Sequence, residues 1–222
     1  MKIFIVFALL WTMSQAESKI ALLLGNSTYS KKSLNNPTND VDLLAKKLKK
    51  LGFTVYEGKN LSKSKMITKL RNFYKEVDSD TIALIYFSGH GVNSSLDGKN
   101  YLIPIGGFSE LMNESQLSDV AIADSYVLAS TSGAKFSILL LDACRSNDFA
   151  KVRGDKGLGQ PKSGLGNDYI ISYATEVGKT AEDGYNNSPY ALALSHHLLG
   201  HYPIEELFRK VRKEVSKETN GK

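Results

Sequence analysis

The chain carries one cysteine among its 222 residues. An internal disulfide is therefore excluded, and the thiol is either a small buried filler or a group kept for its chemistry. Tryptophan also occurs once and proline only five times, so no proline-rich linker or low-complexity segment divides the sequence. Long hydrophobic runs are missing too: nothing approaches the roughly 20 apolar residues that a helix needs to cross a bilayer. Nor is one sign of charge in large excess, since 28 basic side chains face 23 acidic ones, leaving +5. The densest basic cluster, Lys46, Lys47, Lys49 and Lys50, is interleaved with Val41, Leu44, Leu48 and Leu51. That spacing makes it the wet face of an amphipathic helix. Without interleaved aromatic residues or a reading motif, it gives no reason to expect a nucleic-acid partner.

What is present is close to average globular composition, 42% hydrophobic and 23% charged, which predicts one domain with a sizeable core. Residues 1–16 read as a secretory signal: Lys2 opens it, Ile3 to Trp11 is uncharged and apolar, and Ser14 and Ala16 are the small residues before a cut. The mature domain then spans 17–222, is exported, and keeps no membrane span once the signal is removed.

Along the chain, apolar runs alternate with helical patterns. Lys19 to Gly25, Phe53 to Tyr56, Thr81 to Phe87, Phe136 to Leu141 and Tyr169 to Tyr173 read as strands, with Tyr101 to Ile105 as a short excursion. Helices are expected over Val41 to Leu51 (capped by Asn39 and Asp40), Ser62 to Val77, Val120 to Ser132, Ser188 to Leu199 and Pro203 to Lys217. The order βαβαβ predicts an α/β fold with a doubly wound, mostly parallel sheet flanked by helices. Ser146 to Asn167 holds five glycines and one proline with no apolar period, the composition of a long functional loop.

In such sheets ligands bind at the carboxyl ends of the strands. Two motifs fall there: Ser88-Gly89-His90-Gly91 after the third core strand and Asp142-Ala143-Cys144-Arg145 after the fourth. Glycines on either side of His90 allow a tight turn and close approach of a substrate backbone. Cys144 sits at a strand rim, where an imidazolium nearby would favour the thiolate. The pair His197 and His201 has zinc-helix spacing, but no Glu lies between them and Gly200 interrupts the helix, so metal is not expected there. From residue type alone, Asp40 reads as a helix cap, Asp142 as a strand-end carboxylate and Asp183 as part of a polar turn.

YFSGHG (Tyr86 to Gly91) and LLLDACR (Leu139 to Arg145) resemble the histidine and cysteine motifs of the caspase-like cysteine peptidases, and within them the metacaspases and paracaspases. Asn36 to Asp40, Tyr173-Ala174-Thr175 and Ser188-Pro189-Tyr190 add to the resemblance, which runs from about Lys19 to Gly221. It implies a caspase-like fold and an endopeptidase with a catalytic dyad of His90 and Cys144. The backbone N–H groups of Gly91 and Cys144 would form the oxyanion hole, and Asp40, Asp142 and Asp183 an acidic pocket for a basic substrate side chain, Arg before Lys. Protein or peptide substrates are the implied partners. No organic cofactor is implied, and no ligand loop for the calcium that activates some metacaspases is evident. The resemblance also implies a strand after Thr219-Asn220-Gly221 that this sequence does not include. A catalytically silent module that binds partners through the same groove is the alternative, because fold does not fix activity.

Overall fold

The computed structural model describes residues 17–107, 113–143, 168–174 and 185–219. The signal segment 1–16, Cys144, the loop 146–167 and Asp183 lie outside the described residues. Five strands form one parallel sheet: β1 (Ser18–Gly25), β2 (Thr54–Lys59), β3 (Thr81–Gly89), β7 (Phe136–Ala143) and β8 (Asp168–Tyr173), in the order β2-β1-β3-β7-β8. All four pairings are parallel, as the βαβ order predicts.

Alternation divides the side chains between two layers. Leu22, Leu24, Ile85, Phe87, Leu139 and Leu141 pack with Met66, Leu70 and Phe73 of α2 (Lys63–Tyr74). Leu23, Leu84, Tyr86 and Leu140 pack with Val41, Leu44 and Leu48 of α1 (Pro37–Lys50) and with α5 (Pro189–His197) and α6 (Ile204–Glu218). Leu22 and Leu23 are fully buried, and each such side chain contributes about 1.5–3 kcal/mol by leaving water.

Three expectations are corrected. Helix α1 starts at Pro37, four residues earlier than expected, because proline's fixed φ suits the first helical position. Asn36 takes the cap position without a side-chain cap bond, so Asn39 and Asp40 lie inside the first turn. The continuous helix over Val120 to Ser132 is instead α3 (Leu117–Val120) and α4 (Asp124–Ala129), separated by β6 (Ile122–Ala123). The excursion strand is only β5 (Asn100–Leu102), the centre of a small antiparallel sheet between β4 (Gly91–Asn93) and β6. Pro104 has no N–H to continue that ladder, and Ile105 turns to bridge Ser62, its N–H donating to Leu61 O at 2.9 Å.

Gly25 fixes how α1 meets the sheet. A Cβ there would lie 2.3 Å from the carbonyl oxygen of Pro37. Only glycine lets the helix start seat so closely on the carboxyl end of β1, and this seating delivers Asp40 to the rim.

Candidate functional site at the carboxyl rim of the sheet

The register of β3 and β7 brings the two motifs together. Ser88 pairs with Asp142 and Gly89 with Ala143, so the chains that continue into His90 and Cys144 leave neighbouring strands at the same level. Adjacent strands are about 4.8 Å apart. Cys144 itself lies outside the described residues, so of the two expected dyad residues the structure describes only His90.

His90 is 9% exposed and held at three points. Its Nε2 lies 2.6 Å from the carbonyl oxygen of Lys32. A carbonyl only accepts, so Nε2 carries the hydrogen of this bond, which fixes the donor side of the ring. The backbone N–H of His90 donates to the Tyr29 hydroxyl at 3.1 Å, and its carbonyl accepts from Ile103 N at 2.9 Å. The Tyr29 ring packs on the imidazole with centroids 4.6 Å apart. Lys32 has φ 56°, an uncommon backbone state for a residue with a side chain, and one that recurs where the surrounding structure enforces a functional geometry.

Gly91 begins β4 opposite Leu102. Bonds from Ser94 N to Lys99 O and from Ile103 N to His90 O set the alternation of the antiparallel ladder. Gly91 and Leu102 then form a non-hydrogen-bonded pair, whose N–H groups point away from the partner strand. The amide of Gly91 is thus turned out of the sheet, as an oxyanion donor needs to be.

Asp40 and Asp142 come together on the face that packs against α1 and α5. Asp40 is fully buried: one carboxylate oxygen accepts from Ser88 Oγ at 3.1 Å, the other from Asn187 Nδ2 at 2.9 Å and Ser188 N at 3.0 Å. Asp142, 4% exposed, accepts from the Tyr86 hydroxyl at 2.9 Å and from the Ser188 hydroxyl. Burial pushes the Tyr86 phenol well above its ordinary pKa, and the charges of Asp142 and Asp40 push it further. Tyr190 moves the same way, through burial and then the charge of Asp142. Both amide atoms of the neighbouring Asn36 are buried without a partner among the described residues, the setting that an ordered water or a ligand group satisfies.

His197 and His201 are not brought together on one helix. His197 ends α5, its Nε2 2.7 Å from Glu214, while His196 Nδ1 lies 2.6 Å from the other oxygen of the same carboxylate. His201 falls in the connection beyond the helix. Among the described residues no group of three or more His, Cys, Asp or Glu side chains is placed to hold a metal, and no helix is long and apolar enough to cross a membrane.

Reading the sequence missed Lys32, Tyr29 and Asn187, and did not single out Ser88 and Ser188 as ligands of carboxylates. Lys32 acts through its carbonyl, which no residue type signals. Ser188 had a signal, because it opens a helix as Ser-Pro, and the hydroxyl that accepts from Ala191 N at 2.9 Å as the helix cap is the one that meets Asp142.

Residues 18–222 match the family model described as the caspase domain. Among solved structures, caspase-1 from Spodoptera frugiperda is similar at 18% identity with a TM-score of 0.66, covering 90% of this chain and 77% of that one. A protein from Geobacter sulfurreducens is similar at 16% identity with a TM-score of 0.64, covering 87% and 88%. No curated protein compared with the chain matches it. With a caspase-domain match over nearly its whole length and a parallel five-stranded sheet flanked by helices, this chain belongs to the caspase-like family.

Proposed function

We propose that the protein is a cysteine-type endopeptidase that cleaves peptide bonds after basic residues, Arg in preference to Lys, with Cys144 as nucleophile and His90 as proton carrier. The observation that carries this reading is the β3–β7 register, which ends at Gly89 and Ala143, one residue short of both groups. Cys144 thiolate adds to the scissile carbonyl carbon, and the oxygen takes up charge facing the backbone N–H groups of Gly91 and Cys144. As the C–N bond breaks, imidazolium His90 gives its Nδ1 proton to the departing amine, leaving a thioester. Water then attacks the thioester while His90 takes its proton, releasing the carboxylate and the thiolate. Lys32 O holds Nε2–H throughout, so the ring keeps one orientation for both transfers.

Asp40 and Asp142 support the basic specificity, as two buried carboxylates on one face at the same rim, with Asp183 as a third member. A guanidinium engages carboxylates through paired hydrogen bonds where an ammonium offers a point charge, which favours Arg. No organic cofactor takes part, and protein or peptide substrates are the partners. The enzyme acts outside the compartment in which it is made, its mature chain beginning near Glu17, and an exported protein whose intact mass still includes Met1 would refute that point.

The test is a profile of cleavage against a peptide library with wild type and Cys144→Ala, each with and without a calcium chelator. Cleavage after Arg that disappears in Cys144→Ala is the expected result. Cleavage after Asp, or cleavage that survives loss of the thiol, would overturn the proposal.

A further inference from the structure

The antiparallel ladder joining the end of β3 to β5 has one irregular rung, at His90. Its alternation makes His90 and Ile103 a hydrogen-bonded pair, which would ordinarily exchange two N–H···O bonds. One is present, from Ile103 N to His90 O at 2.9 Å. In place of the other stands the Tyr29 hydroxyl, which accepts from His90 N at 3.1 Å and donates to Ile103 O at 2.8 Å. A phenol oxygen is therefore wedged into one side of the rung, and the N–H of the histidine backbone reaches β5 through two hydrogen bonds instead of one.

Gly89 makes room for the wedge. Its φ is 155° and a Cβ on it would come within 2.7 Å of the Tyr29 oxygen, so the residue before His90 has no side chain to compete with the phenol. Tyr29 is 5% exposed, and burial raises its pKa. It stays a neutral hydroxyl able to donate and accept at once. Its own segment is pinned: Tyr29 N and Leu34 N both donate to Ser27 O, and Ser27 N donates to Asn60 Oδ1 at 2.8 Å. The same segment supplies the Lys32 carbonyl that takes Nε2–H. One loop between β1 and α1 thus sets the backbone position, the ring packing and the tautomer of His90.

We infer that Tyr29 is a positioning residue for the peptidase reaction, holding His90 off β5 so that Nδ1 meets the thiol and the leaving amine. The inference rests on the dyad proposed above. Without the hydroxyl, His90 N–H and Ile103 O can close into a direct rung, drawing the imidazole toward β5 and off its line of transfer. Displacements of about 1 Å at a reacting group cost up to about 100-fold in rate.

The experiment is Tyr29→Phe, which keeps the buried ring, set beside Thr81→Val. Thr81 lies at the opposite end of β3, where its hydroxyl bonds Ser18 and Asp78, so its loss lowers stability away from the site. Tyr29→Phe is expected to lower kcat on an arginyl peptide about 10- to 100-fold with KM within about twofold. It should also shift the pH dependence of Cys144 alkylation by iodoacetamide, while Thr81→Val lowers the melting temperature and leaves both unchanged. Wild-type kcat and alkylation profile in Tyr29→Phe, or an equal kcat loss in Thr81→Val, would overturn the inference. If the wild type cleaves no peptide, the proposed activity fails on its own account. The nitrogen chemical shifts of His90 then decide: altered in Tyr29→Phe they support the positioning role, and unchanged they refute it.

Discussion

Asp142→Asn separates substrate recognition from the chemistry of the thiol. The change keeps side-chain volume and removes one charge from a site that is 4% exposed and beside a second, fully buried carboxylate. Where charges are desolvated, removing one member of a hydrogen-bonded pair costs about 2–5 kcal/mol, so kcat/KM on arginyl peptides should fall by roughly 30-fold to several-thousand-fold. Lysyl peptides should lose less, because an ammonium makes no paired hydrogen bonds, and the Arg-to-Lys preference should narrow. The Tyr86 and Ser188 hydroxyls both donate to one oxygen of Asp142, so a carboxamide with its oxygen in that place keeps both bonds and stability should change by no more than about 1 kcal/mol. The assay pairs steady-state kinetics on matched Arg and Lys peptides with the rate of Cys144 alkylation by a small neutral reagent. Alkylation at the wild-type rate with arginyl cleavage largely gone is the expected pattern. Undiminished arginyl cleavage would show that the carboxylate does not face the substrate, and an equal fall in alkylation would show that it acts on the thiol instead.

Three further outcomes follow. Gly25→Ala should destabilise the fold by about 2–3 kcal/mol, read from thermal or urea melts, because its Cβ would meet the Pro37 carbonyl at 2.3 Å and overpacking against backbone is poorly relieved; wild-type stability would contradict the tight seating of α1. Desolvation raises the pKa of Glu214, but hydrogen bonds from His196 and His197 outweigh it and leave the carboxyl below its ordinary value. A depressed acid stabilises the fold above its unfolded pKa and loses that contribution as pH falls through the folded one. Glu214→Gln should therefore melt a few degrees below wild type at about pH 6 and converge with it below about pH 4, and a gap that persists in acid would refute the clamp. Finally, Lys151, Arg153, Lys156 and Lys162 fall in a glycine-containing stretch just after Cys144, so purified wild type should nick itself while Cys144→Ala stays whole on a denaturing gel; a single band for both would rule out self-processing.

The sheet was legible because its central strands are largely buried on both faces: continuous runs such as Ile20 to Leu24 and Ile138 to Leu141 have few other structures open to them. The positions of His90 and Asp142 at the carboxyl rim were legible from the apolar runs that precede them, Thr81 to Phe87 and Phe136 to Leu141. The start of α1 was misread because Asn39-Asp40 carries the side chains of a cap while Pro37 carries the backbone of a first helical residue, and the backbone won. The small sheet was nearly invisible, since β4, β5 and β6 have three, three and two residues, too short to show a period of two. Lys32 and Tyr29 were out of reach for a different reason. Their contributions are a carbonyl and a bridging hydroxyl, and both depend on where a loop folds back in space.

Two carboxylates buried side by side raise the question of what opposes their repulsion. The structure answers with dipoles. Asp40 lies in the first turn of α1, and Ser188, which bonds both Asp40 and Asp142, caps α5. Two helix N-termini, each equivalent to about half a positive charge, therefore converge on the pair. Hydroxyls of Ser88, Ser188 and Tyr86 supply further donors. Such an arrangement orients the negative charge through fixed neutral donors. In the proposed peptidase, a substrate guanidinium then meets carboxylates already oriented by fixed neutral groups, and little reorganisation is needed on binding. The same bonds make Ser188 the mechanical link between the pocket and the helix layer, since moving α5 by one hydrogen-bond length disturbs both acids at once.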